Sequence, residues 1–231
     1  MCIRDSCIGY HRAVNRPASI VFAVLTAIAV AALVWFLRMG WTEPAASAKF
    51  LASCGFLATA VSVGALRHGF GRIIFAGLLL SMSGDMFLIG QTQRHFLFGL
   101  VSFLLAHIAY VTAFITFGQN RKWVMAAAGP IIVIAVLVLF WLGPHVPAEL
   151  AMPVRLYTAV ISLMVITALG ARGAGASRLI VAGALMFFVS DLSVAMQRII
   201  ETDFPTFVWG LPLYYAAQLC FAAGASHSSS Q

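Results

Sequence analysis

Two aspartates stand inside apolar stretches of the chain, Asp85 in Gly77-Leu-Leu-Leu-Ser-Met-Ser-Gly-Asp85-Met-Phe-Leu and Asp191 in Gly183-Ala-Leu-Met-Phe-Phe-Val-Ser-Asp191-Leu-Ser-Val. Each follows a glycine by eight residues, and the two units are 106 positions apart. An ionisable side chain at the centre of a membrane helix costs about 2.5 to 3.5 kcal/mol on insertion scales, so it normally faces a polar cavity and marks a functional site. Two such groups in register point to one site, and paired carboxyl groups are suited to proton transfer.

The same offset of 106 carries Lys49 onto Arg155. Each half of the chain therefore supplies one acid and one base. The plain alternative for the cations is that they snorkel to the headgroups. His107 and Tyr110 are three apart in one apolar stretch and share a helical face. Tyr214, Tyr215 and Gln218 share a face in another, at spacings of four and three. A lone histidine in a span more often bonds a neighbouring helix than performs chemistry, so His107 is a candidate on both counts.

The elements that must position these groups are membrane helices. The chain has 231 residues, 62% of them hydrophobic and 9% charged, with a mean hydropathy of +0.98. A soluble domain of this size cannot hide so much apolar surface, whereas runs of about 18 to 22 apolar residues match a hydrocarbon core of about 30 Å. Eight spans are expected, at 18–37, 48–66, 72–90, 96–118, 123–142, 153–170, 178–198 and 206–225. The fold class is all-α: eight transmembrane helices forming two parallel four-helix repeats related by an axis along the membrane normal. Residues 1–17 and 226–231 are read as cytoplasmic tails flanking a single domain over 18–225. The eighth span is interrupted by Gly210, Pro212, Tyr214, Tyr215 and Gln218 and is expected to face protein or water. Gly143-Pro144 and the segment from Gly170 to Gly175 read as turn-rich breaks.

The net charge of +7 is topological in origin. Nine of the fourteen Lys and Arg residues lie in the N-terminal tail and the even-numbered loops, and five (Arg38, Lys49, Arg94, Arg155, Arg198) lie on the other side. This pattern places both termini in the cytoplasm and excludes a nucleic-acid footprint. Of four cysteines, Cys2 and Cys7 fall in the tail and Cys54 and Cys220 in spans, with no CxxC and no metal-ligand spacing. The first span reads as an uncleaved anchor. Residues 1–6 have no structural rationale and read as foreign to the protein.

Gly77 to Leu88, then Phe98-Gly-Leu with Phe103-Leu-Leu-Ala-His107-Ile-Ala-Tyr110, and later Gly183 to Asp191 with Tyr215-Ala-Ala-Gln218, resemble the YhhN family of eight-span proteins, which includes the lysoplasmalogenases. The resemblance runs from about residue 45 to 225. One departure is at the start of span two, where Lys49 is followed by Phe50 rather than proline. The resemblance implies hydrolysis of the vinyl-ether bond of a lysoplasmalogen, a lysophospholipid partner within the lipid bilayer of a bacterial inner membrane, and no metal or organic cofactor. It also implies Asp85, Asp191 and His107 as catalytic residues, with Lys49 and Arg155 on the lipid phosphate and Tyr110, Tyr215 and Gln218 orienting glycerol or water.

Three other readings fit the bare pattern, one of them purely structural, with the acids merely pairing with the cations across helices. Parallel repeats with intramembrane charges also suit a transporter or flippase of a small amphiphile, although the helix breaks lie mainly in loops. A metal-dependent hydrolase needs several ligands at one depth, and only His107 of the six histidines is central.

Overall fold

The computed structural model describes residues 16–90 and 92–226. The expected tails, with Cys2, Cys7 and residues 1–6, fall largely outside them. Eight α-helices follow in chain order: α1 (Arg16–Arg38), α2 (Thr42–Ser62), α3 (Gly69–Phe87), α4 (Gln93–Phe117), α5 (Arg121–Leu142), α6 (Ala148–Gly173), α7 (Arg178–Ala195) and α8 (Phe207–Gly224). No strand occurs among the described residues. Seven of the helices are long and apolar enough to cross a membrane, α7 being extended by the π-helical turn Met196–Ile200. The chain is an integral, multi-pass helical membrane protein.

Sequence neighbours pack as hairpins, with α1 on α2, α3 on α4, α5 on α6 and α7 on α8. Between the halves, α4 packs on α6 as α8 packs on α2. The symmetry breaks at the outer helices, since α1 also packs on α8 whereas α5 rests chiefly on α6. The in-register glycines serve close packing: a Cβ on Gly77 would strike the Tyr110 ring, and one on Gly183 would come within 2.8 Å of the Phe221 ring. As expected from its polar interruptions, α8 is turned inward and buries Tyr214, Tyr215, Gln218 and Phe221.

Two helices begin earlier than hydropathy indicates. α2 starts at Thr42 rather than at residue 48, because Pro44 and Glu43 belong in a first turn, where the missing N–H costs nothing and the carboxylate meets the positive end of the helix dipole. α6 starts at Ala148 rather than at residue 153, with Glu149 in its first turn. Lys49 and Arg155 are therefore each the eighth residue of a helix, two turns in, and not at its mouth. At its far end α6 runs on to Gly173, past the break expected at Gly170. Gln119 Nε2 donates to the Thr167 carbonyl at 3.1 Å and Asn120 Nδ2 to that of Gly173 at 3.2 Å, which ties down the last turn. The chain turns only at Gly175, where φ is +108°.

Candidate functional site

A cavity of about 560 Å³ occupies the end of the bundle that carries the α1–α2, α3–α4, α5–α6 and α7–α8 connections. This is within the usual range for a small-molecule site. Its wall is mostly aliphatic and aromatic, and four charged residues reach it: Lys49, Asp85, Asp191 and Arg198. The two aspartates thus open onto a single space, although they belong to different halves.

Asp85, near the end of α3, is 2% exposed and surrounded by donors. The Lys49 ammonium lies 3.5 Å from Oδ1. Oδ2 accepts from the Ser53 hydroxyl at 2.8 Å, from Tyr214 at 2.8 Å and, more weakly, from Tyr215 at 3.4 Å. Lys49 and Ser53 are four apart in α2 and so project together toward α3. A buried carboxylate needs this many partners, since an unpaired one is strongly destabilising.

Asp191, in α7, has a different setting. Tyr157 of α6 donates to its Oδ2 at 2.7 Å, and Nε2 of His107, from α4, lies 3.8 Å from the same oxygen. The imidazole is buried, packed edge-on against Tyr157 and Phe187 at centroid separations of 5.2 and 4.6 Å, and neither of its nitrogens has a well-formed hydrogen bond. The Asp191 side chain is 18% exposed, on the cavity side. Arg155, at the position equivalent to Lys49, is exposed and does not line the cavity, so the ion pair of the first half has no counterpart here.

The polar helices are exchanged between halves. Asp85 of the first half is completed by α8 of the second, and Asp191 of the second half is approached by α4 of the first. His107 and Tyr214 occupy corresponding places, 22 residues after Asp85 and 23 after Asp191. The extra residue falls in the segment that holds the π-helical turn Met196–Ile200, and one added residue is what such a turn accommodates.

Of the other residues singled out by sequence, Tyr110 donates to Gln218 Oε1 at 2.8 Å and lies 3.3 Å from the Ser81 hydroxyl. This bond joins α4 to α8 below the cavity, and neither Tyr110 nor Gln218 lines it. Tyr215 lies behind Asp85, 3.3 Å from the Lys49 carbonyl. Sequence reasoning passed over Ser53 and Tyr157 and gave Tyr214 and Arg198 no part in the site. Ser53 was visible as the residue one helical turn beyond Lys49. Tyr157 was hidden because the repeat drew attention to Arg155, which points elsewhere on the same helix.

Among the described residues no group of three or more His, Cys, Asp or Glu side chains is placed to hold a metal ion. The fold and the cavity define a class: a polytopic membrane protein with two carboxyl groups on one intramembrane, apolar-walled chamber. The chain belongs to the YhhN family, whose profile matches residues 18–225. It is 29% identical over 182 residues to lysoplasmalogenase TMEM86A of Bos taurus, covering 71% of this chain and 72% of that protein. The human lysoplasmalogenase TMEM86A is 32% identical over 179 residues, with the same coverage of 71% and 72%. The lysoplasmalogenase of Mycobacterium bovis is 31% identical over 176 residues, 73% of this chain and 67% of that protein. No solved structure matches the chain.

Proposed function

We propose that the chain is a lysoplasmalogenase-type hydrolase that cleaves the vinyl-ether bond of a lysophospholipid to a fatty aldehyde and a glycerophospho-headgroup compound. The observation that carries this reading is that two carboxyl groups open onto one cavity while only one of them is matched by a cation. The names of the relatives supply the substrate class.

Cleavage begins with a proton added to the alkene carbon remote from the ether oxygen, leaving an oxocarbenium ion. Asp191 is the proton donor, held by the Tyr157 hydroxyl and faced by His107. Asp85, ionised against Lys49, stabilises the cation from across the chamber. Water then adds to the carbon attached to oxygen and returns a proton to Asp191. The resulting hemiacetal collapses, its C–O bond breaking to give the aldehyde and the free glycerol hydroxyl. One water is consumed, and the chemistry calls for no cofactor. Tyr215 positions Asp85, and the Tyr110–Gln218 bond holds the two polar helices at the floor of the site.

By the charge asymmetry of the loops, the cavity opens on the non-cytoplasmic side of a bacterial inner membrane, with both termini inside. The reading is tested with purified protein given lysoplasmalogen or its saturated ether analogue. Aldehyde is expected from the first alone. No aldehyde from lysoplasmalogen, by protein shown to be folded, overturns the proposal; uptake of the intact lipid into liposomes in its place identifies a transporter.

A further inference from the structure

A lysophospholipid carries a phosphate, and the cation that receives it is not one of the repeat-related pair. Lys49 is engaged by Asp85, and Arg155 is exposed away from the cavity. Arg38 and Arg94, on the same side of the bundle, do not line the cavity either. Arg198 does, and among the described residues no carboxylate lies within ion-pair distance of it. Its guanidinium sits over the Phe96 ring of α4, 5.6 Å from the centroid, a contact that fixes the side chain while leaving its donors free.

The backbone around Arg198 points the same way. The residue stands in the π-helical turn Met196–Ile200, a rare conformation that occurs frequently at functional sites. Gln197, beside it, also reaches the cavity. The first half has nothing comparable, because the position 106 residues earlier is Thr92, which caps α4 by accepting from the His95 N–H at 3.3 Å. The cation is therefore a property of one half only, and it stands at the loop end of a chamber whose acids lie deeper in the helices. A planar guanidinium with five donors suits a phosphodiester better than a lysine ammonium does.

We infer that Arg198 binds the headgroup phosphate of the lysophospholipid at the cavity mouth and sets a preference for phosphate-bearing over neutral ether lipids. This rests on the reading of the chain as an ether-lipid hydrolase. The test compares Arg198→Gln and Arg198→Lys with the parent protein on lysoplasmalogen and on the corresponding alkenylglycerol, which lacks phosphate. Arg198→Gln is expected to raise KM for lysoplasmalogen about tenfold relative to KM for alkenylglycerol, with kcat little altered, and Arg198→Lys to recover part of the loss. Equal changes for both substrates, or none, overturn the assignment.

A binding arm does not depend on turnover. A saturated alkyl lysophospholipid is expected to bind Arg198→Gln about tenfold more weakly than the parent, and alkylglycerol equally well. Unchanged lysophospholipid affinity overturns the role of Arg198 whether or not aldehyde is formed. Absence of aldehyde from the parent protein, by contrast, overturns only the hydrolase reading. Inorganic phosphate binding as tightly as the lysophospholipid overturns the headgroup assignment, giving the arginine to free phosphate instead.

Discussion

Asp85 and Asp191 occupy equivalent places in the two halves, and their surroundings have diverged. Asp85 has a lysine and three hydroxyl groups around it and is almost fully buried. Asp191 has one tyrosine hydroxyl and a buried imidazole without a good hydrogen bond, and its side chain is open to the cavity. On the proposed mechanism, this difference gives two residues of one type different roles. A carboxyl group with a full set of partners is held in position. One with few partners and access to substrate is, on that mechanism, the group that exchanges the proton.

The largest effect expected is on Asp191. Asp191→Asn removes the proton donor and should lower kcat for vinyl-ether cleavage by about 10² to 10⁴-fold, with little change in the thermal midpoint of the purified protein. Turnover within a few-fold of normal would remove Asp191 from the chemistry. Next is the stability of the first half. Lys49→Met strands a buried carboxylate and should cost roughly 3 kcal/mol, read as a lower midpoint, and adding Asp85→Asn to it should restore much of the loss. Should Asp191→Asn destabilise the protein as much as Lys49→Met, the contrast between the two sites fails.

A smaller effect is expected of Tyr157→Phe, which deletes the hydroxyl bonded to Asp191. It should reduce kcat about tenfold, as loss of a hydrogen bond to a charged or proton-donating group does, while KM stays near normal. Smallest of all is Arg155→Gln. The residue is exposed and off the cavity, so the substitution should change stability by no more than about 0.5 kcal/mol and leave turnover on lysoplasmalogen unaffected. A large rise in KM here would return Arg155 to the site and restore the symmetric picture that the packing of α6 breaks.

Much of this architecture was legible in the chain. Apolar run length announces membrane helices whatever their packing, and the 106-residue spacing marks two acid-bearing units, because both are properties of local composition and order. Helix starts were misplaced at α2 and α6 for an equally local reason, since hydropathy does not credit Pro44, Glu43 or Glu149 with the first turns that suit them. Arg198 escaped notice because a cation beside a loop looks like any other interfacial arginine until the π-helical turn carries it over Phe96 and onto the cavity.

By itself the sequence determined the class of protein, the number of helices, and the two carboxyl groups with their polar companions on separate helices. The tertiary structure decided which companions serve which acid. Helices α4 and α8 cross between the halves, so Asp85 meets Tyr214 from the second half and Asp191 meets His107 from the first. Such pairing follows from how helix surfaces fit together, through glycines that admit Tyr110 and Phe221, and not from spacing along any one helix. Rotation about the helix axis did the rest. Lys49 and Arg155 are matched in register, yet one points into the bundle and the other out of it, and only the first becomes part of the site.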